Sequence, residues 1–245
     1  MRRPVVLAAL LCLLSAAPAR AEEPGCGAPA DLLDAPSLPI LASGVLTGRL
    51  RIFATGSASV LSPGISTAAA AWPARLEALL RARLPDITLQ MEVRGGRGMT
   101  ALDQWRLIQE AMQRSRPDLV IWQAGATESV RGLPVEAMGE VLAEALAQLS
   151  ARGVDVVLMD QQYSRFLRAN AEIEPYREAL RMIGAAHGAA LFRRYDLMRA
   201  WTDAGTVDVE RAPRDQRTAT VDRLNDCLAR ALALFLRSGA REARR

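Results

Sequence analysis

Short apolar runs alternate along the chain with longer stretches in which apolar residues recur every three or four positions. These two periods separate strands from helices. Residues 50–55 (LRIFAT) read as a buried strand, and 73–84 (PARLEALLRARL) as a helix with Pro73 in its first turn and Pro85 as its stop. Residues 87–93 alternate as a second strand, 101–114 form an amphipathic helix, and 119–123 (LVIWQ) are a continuous apolar run suited to a strand buried on both faces. Helical spacing returns at 134–150 and 175–186, around a buried strand at 154–160. A fifth strand is expected at 189–193 and a last helix at 223–236. Strands alternating with helices of this length mean βαβ units with right-handed crossovers. The expected fold is α/β, with three layers (α/β/α) around a parallel sheet of five strands. Residues 203–221, polar and rich in Arg and Thr, read as a long surface loop.

The pattern differs before residue 49. Met1, Arg2 and Arg3 precede an apolar run over 4–14 and the small-residue triplet Ala19, Arg20, Ala21. A basic start, an apolar centre of this length and an A-x-A site describe a signal peptide over 1–21. The apolar run is short of the ~18 residues a membrane span needs, and no later segment reaches that length. The expected location is periplasmic or secreted, with no membrane span after cleavage. Residues 22–48, rich in Pro, Ala and Gly, read as an extended lead-in to a domain over 49–238, with an Arg-rich tail at 239–245.

Charge and rare residues narrow the chemistry. All 31 basic residues are arginine, so lysine Schiff-base and P-loop chemistry are excluded. Cleavage removes Arg2, Arg3 and Arg20 and no acidic residue, so the formal charge falls from +4 to +1. A basic stripe interleaved with aromatics is absent, and no nucleic-acid partner is expected. The single histidine, His187, excludes a site needing two imidazoles. No metal or other cofactor is expected. Cys12 leaves with the leader, and Cys26 and Cys227 remain as an even pair in an exported chain, which reads as a disulfide joining the N-terminal lead-in to the last helix.

In an open parallel sheet, ligands bind beyond the carboxyl ends of the strands. The loops there begin with Gly56, Ser57, Ala58 and Ser59; Gly95 to Gly98; Gly125 to Glu128; and Gln161. In order along the chain, LRIFATGSAS, WPARLEALL, VRGGRG, PDLVIWQAG, VDVVLMDQQY and DRLNDCLARAL resemble the SGNH (GDSL-type) hydrolase family of serine esterases over roughly residues 49–237. The resemblance implies the SGNH hydrolase fold, with a flavodoxin-like parallel five-stranded sheet, and it departs from the family at the functional positions. The family's nucleophile stands third in a Gly-Asp-Ser or Gly-Ser-Ser turn; here that position is Ala58. Gly98 matches the family's second oxyanion donor. Thr127 stands where the family has the Asn of Gly-x-Asn, and Asn225 where it has the His of Asp-x-x-His, after Asp222 and in a stretch that reads as shortened.

A serine hydroxyl attacks an ester only if a base takes its proton, and neither Ala58 nor Asn225 does either job. Gly56, Ser57, Ala58, Gly98, Gly125 and Thr127 would still line a pocket, with the amides of Ala58 and Gly98 as a partial oxyanion site. Ser57 and Ser59 are the available substitutes as nucleophile, though such residues commonly serve as turns and caps. His187 ends a helix and is expected at the opposite end of the sheet. Asp160 is expected to hold loop amides and Asp222 to cap the last helix, whereas Trp72, Trp105, Trp122 and Trp201 are expected in or near the core. Arg165, Arg168 and Arg177 are the arginines expected near the fourth loop, where an anion could meet them.

The resemblance implies acylated carbohydrate or another cell-envelope ester as ligand. The reading taken here is an exported binding or accessory module that has lost hydrolytic chemistry. Its rivals are an active esterase with a different catalytic set and a structural module that contacts another envelope protein.

Overall fold

The computed structural model describes residues 26–244, so the leader read at 1–21 lies outside the described residues. The strands are β1 (Arg49–Gly56), β2 (Thr88–Gly95), β3 (Leu119–Gln123), β4 (Asp155–Met159) and β5 (Ala190–Phe192). They form one all-parallel sheet in the order β2-β1-β3-β4-β5.

The unbroken apolar runs follow from this arrangement, because both faces of the sheet are covered. Along β3, Leu119 and Ile121 enter one core while Val120 and Trp122 enter the other. On the first face, Leu50, Ile52, Val157 and Phe192 meet helices α1 (Pro39–Leu46), α2 (Trp72–Arg83), α8 (Arg194–Asp203) and α9 (Arg217–Glu242). On the second, Phe53, Val120, Trp122 and Leu158 meet α3 (Ala101–Arg114), α5 (Val135–Ala151) and α7 (Glu174–Ala186). The β1–β2 crossover lies on one face and the later crossovers on the other. Strand order therefore reverses between β1 and β3, and a crevice opens at their carboxyl ends.

Local chemistry sets several boundaries. Helix α3 opens on a capping box, with Thr100 Oγ1 accepting the Asp103 N–H and the Asp103 carboxylate accepting the Thr100 N–H. Its apolar stripe of Trp105, Ile108 and Met112 is buried. Cys26 and Cys227 form a disulfide with Cα atoms 5.1 Å apart, tying the N-terminal segment to α9.

The structure corrects four expectations. Residues 22–48 are not an extended lead-in where described: they contain a 3-10 turn (Ala30–Leu32) and α1, whose Leu41 and Ala42 are buried. The expected tail at 239–245 is helical through Glu242, because α9 continues and Gly239 packs under Leu38. Helix α9 also begins six residues earlier than the apolar pattern predicts, since its first turn is solvent-facing and carries no apolar period. The expected loop at 203–221 is thereby reduced to 204–216. Three further helices arise where none was predicted: α8 and the six-residue α4 (Ala126–Arg131) and α6 (Arg165–Asn170).

Candidate functional site

Strand β1 delivers Gly56 to the carboxyl edge of the sheet, and the chain then turns through a 3-10 segment, Ala58–Leu61, with Ser57 at its N-cap. A Cβ on Gly56 would lie 2.6 Å from Gln123 Oε1, so the close approach of β1 to the end of β3 requires glycine. Ala58 places a methyl group at the opening of this turn. Next to it, the Ser59 hydroxyl donates to Gln123 Oε1 at 3.1 Å and accepts from Arg194 Nη1 at 3.1 Å. Its one proton is thus committed to a carboxamide, which is no base.

The loops after β2 and β3 reach the same edge. Gly98 holds a positive φ of 76° in an exposed turn. Gly125 caps α4 at φ 84°, and a Cβ there would lie 2.6 Å from Gln161 Nε2. Thr127 and Glu128 are buried in α4, where Glu128 Oε1 accepts the Ala101 N–H at the start of α3. Gln161 is buried with neither carboxamide atom hydrogen-bonded among the described residues.

The remaining sequence candidates have structural partners. Asn225 lies inside α9 rather than in a turn, and its Oδ1 accepts from Ser62 Oγ at 2.7 Å and from Trp72 N at 3.0 Å. Asp222 does not cap α9, being in its second turn; instead its carboxylate accepts the Ser66 N–H at 3.0 Å and ties down the loop after β1. Asp160 holds not a loop amide but a helix one, accepting the N–H of Tyr195 in the first turn of α8 at 2.9 Å, and it pairs with Arg177 at 3.1 Å. Burial pushes Asp160 up to about 6, against the pull of the Tyr195 N–H and Arg177. His187 ends α7 and borders a cleft with Ser37 and Asp155 at the amino end of β4, across the sheet from Ser59. All four tryptophans are buried.

Ser59 and Asn225 meet at one cavity of about 210 Å³. It is walled by Met198, Val209, Leu224 and Leu228 and bordered by Gln162 and Arg194. The expected pocket residues Gly56, Ser57, Ala58, Gly98, Gly125 and Thr127 share the sheet edge, but none of them lines this cavity. The arginines expected near the fourth loop are engaged elsewhere: Arg165 with Asp208, Arg177 with Asp160, Asp196 and Glu174, and Arg168 with Tyr195. The arginine that faces the cavity is Arg194, which the sequence reading missed. Its place just past β5, at the start of α8, was the available signal, but nothing in the Arg193–Arg194 pair distinguishes the buried member from Arg193, which pairs with Asp31. Among the described residues no cluster of three or more His, Cys, Asp or Glu side chains is placed to hold a metal ion, and no helix is long and apolar enough to cross a membrane.

Known proteins place this geometry in context. The model of a family described as the non-GDSL lipase-like family matches residues 25–242. Among solved structures, a variant of Axe2, an acetyl xylan esterase from Geobacillus stearothermophilus, superposes with a TM-score of 0.61 at 15% identity, covering 76% of this chain and 94% of that one. The psychrotrophic esterase EstA from Pseudoalteromonas sp. superposes with a TM-score of 0.55 at 15% identity, covering 74% and 98%. A putative lipolytic protein of the G-D-S-L family from Desulfitobacterium hafniense gives 0.56 at 14%, covering 74% and 99%. These likenesses establish a shared three-layer SGNH-type esterase fold. Among curated proteins, none matches the sequence.

Proposed function

Because the chain belongs to the non-GDSL lipase-like family, we propose that it is an exported module of the SGNH esterase fold that binds acylated carbohydrate or another cell-envelope ester without hydrolysing it. The observation that carries this reading is the split between the two ends of the sheet. At the carboxyl edge, Ala58 stands in the turn that resembles the family's nucleophile turn, and the nearby Ser59 hydroxyl is bound to Gln123 and Arg194. The only imidazole in the sequence is at the opposite edge. Nucleophilic catalysis needs hydroxyl and base within hydrogen-bond reach of each other.

Acylated carbohydrate is favoured as ligand because Axe2, which shares the fold, is an acetyl xylan esterase. The leader read at 1–21 and the Cys26–Cys227 disulfide both suit an oxidising compartment outside the cytoplasm.

The test is calorimetric titration of the mature protein with an acylated cell-envelope polysaccharide and with the same polymer after alkaline deacylation, followed by assay of released acid. Tighter binding of the acylated polymer with no acid released is expected. Equal binding of both polymers would remove the acyl group from the reading, and stoichiometric release of acid would replace it with an active esterase.

A further inference from the structure

Arg194 is 5% exposed, yet it makes no ion pair with any described residue. Its Nη1 donates to Ser59 Oγ at 3.1 Å, and its Nη2 reaches Gln162 Oε1 at 3.5 Å. Its Nε is buried with no hydrogen-bond partner among the described residues. Buried cations are ordinarily paired, because a guanidinium without a counter-ion bears its full desolvation penalty. Asp160 acts on Arg194 only through space, since its oxygens are taken by the Tyr195 N–H and Arg177. Burial pulls Arg194 down to about 10, which leaves it protonated at neutral pH.

We propose that the cavity beside Ser59 binds a small carboxylate with a short aliphatic chain, whose anionic head pairs with Arg194. The planar guanidinium matches a carboxylate and has unused donors. Met198, Val209, Leu224 and Leu228 give the cavity an apolar lining that suits an alkyl chain better than a polyhydroxylated ring. At about 210 Å³ the space is smaller than the ~300 Å³ at which pockets for drug-sized ligands begin. The Glu210 carboxylate, which also borders the cavity, is held by Ser164 Oγ, the Arg165 N–H and, at 3.6 Å, the Arg165 guanidinium, so it does not neutralise Arg194.

This inference deepens the binding reading above and rests on it for the identity of the ligand. The carboxylate has two sources: a free short-chain acid, or the free end of a dicarboxylic half-ester carried by a carbohydrate.

The test is calorimetric titration of the mature protein with butyrate, monomethyl succinate and the neutral isostere butyramide at constant chloride. Either carboxylate is expected to bind at least tenfold tighter than butyramide. Monomethyl succinate ahead of butyrate assigns the half-ester, and the reverse order assigns the free acid. Arg194→Met is expected to abolish the preference for carboxylate over amide, and Arg194→Lys to retain part of it. Leu224→Phe, which fills the cavity without touching the cation, should weaken both carboxylates at least tenfold, and this arm decides the matter if Arg194→Met does not fold. Carboxylates binding no better than butyramide, or binding unchanged in Leu224→Phe, would overturn the site. Turnover of p-nitrophenyl butyrate, followed in the same samples, separates the two claims. Turnover with carboxylate binding overturns only the loss of hydrolysis, whereas neither turnover nor binding overturns only the site.

Discussion

Asn225 Oδ1 accepts the backbone N–H of Trp72 at 3.0 Å, so a side chain from within α9 caps the first turn of α2. The same oxygen accepts the Ser62 hydroxyl at 2.7 Å. The position that resembles the family's catalytic base thus performs a structural task, satisfying a buried helix N-terminus that has no side-chain cap of its own. Asn225→Ala leaves the Trp72 N–H without an acceptor, and the expected loss is about 1–3 kcal/mol in urea unfolding. An unchanged unfolding midpoint would show that the cap contributes nothing.

The Cys26–Cys227 disulfide closes nearly the whole domain, with 201 residues of sequence separation. The protein lacking residues 1–21 should show no free thiol before reduction. Reduction should cost roughly 2–5 kcal/mol of stability. A count of two free thiols in the unreduced, folded protein would contradict the pairing.

Asp155 stands at the amino end of β4, where it accepts the Leu41 N–H and locks α1 onto the sheet. Burial pushes its pKa up to about 6, against the pull of the Leu41 and Ile40 N–H groups. A carboxyl group with a raised folded-state pKa contributes stability that is complete below its unfolded value near ~3.9 and is lost as pH rises through the folded value. Wild type should therefore lose stability relative to Asp155→Asn between pH 4 and pH 6, as read from urea midpoints at half-unit intervals. A difference that stays flat across that window, or that moves in favour of wild type, would contradict the raised pKa.

Restoring the missing hydroxyl should not restore chemistry. Ala58→Ser returns an alcohol to the turn, but His187 lies across the sheet and Asn225 is buried in a helix with its oxygen already engaged. A nucleophile and its base act as a unit, so one without the other adds little. The double variant Ala58→Ser/Asn225→His should also remain inactive, and it should unfold more easily because the α2 cap is lost. Ester turnover by either variant, measured with p-nitrophenyl acetate, would contradict this.

The parts of the fold that rest on periodicity were legible in the sequence. Helix α3 and strand β3 occupy the predicted residues, since Trp105, Ile108 and Met112 repeat at helical spacing and LVIWQ is apolar on both faces. Helix α1 escaped prediction because PILASGVL has no polar face to show a helical period; it is helical by virtue of its packing against β1 and α9. The six-residue α4 and α6 are too short to display a period. The spacing of Tyr195, Met198 and Trp201 was a readable but unused signal for α8. At the site, the turn around Ala58 and the remoteness of His187 follow from strand order alone. The engagement of Arg165 and Arg177 does not, because it depends on carboxylates brought in from other segments, and neither does the burial of Arg194, whose partners Ser59 and Gln162 come from the loops after β1 and β4.

The central claim is that this fold no longer hydrolyses esters, and the rate of p-nitrophenyl acetate and butyrate cleavage by the unmodified mature protein tests it most directly. The predicted rate equals that of the heat-unfolded protein, and fluorophosphonate should label no residue. A rate well above that background, abolished by Ser57→Ala or Ser59→Ala and left intact by substitution elsewhere on the surface, would contradict the claim and identify a rebuilt catalytic serine.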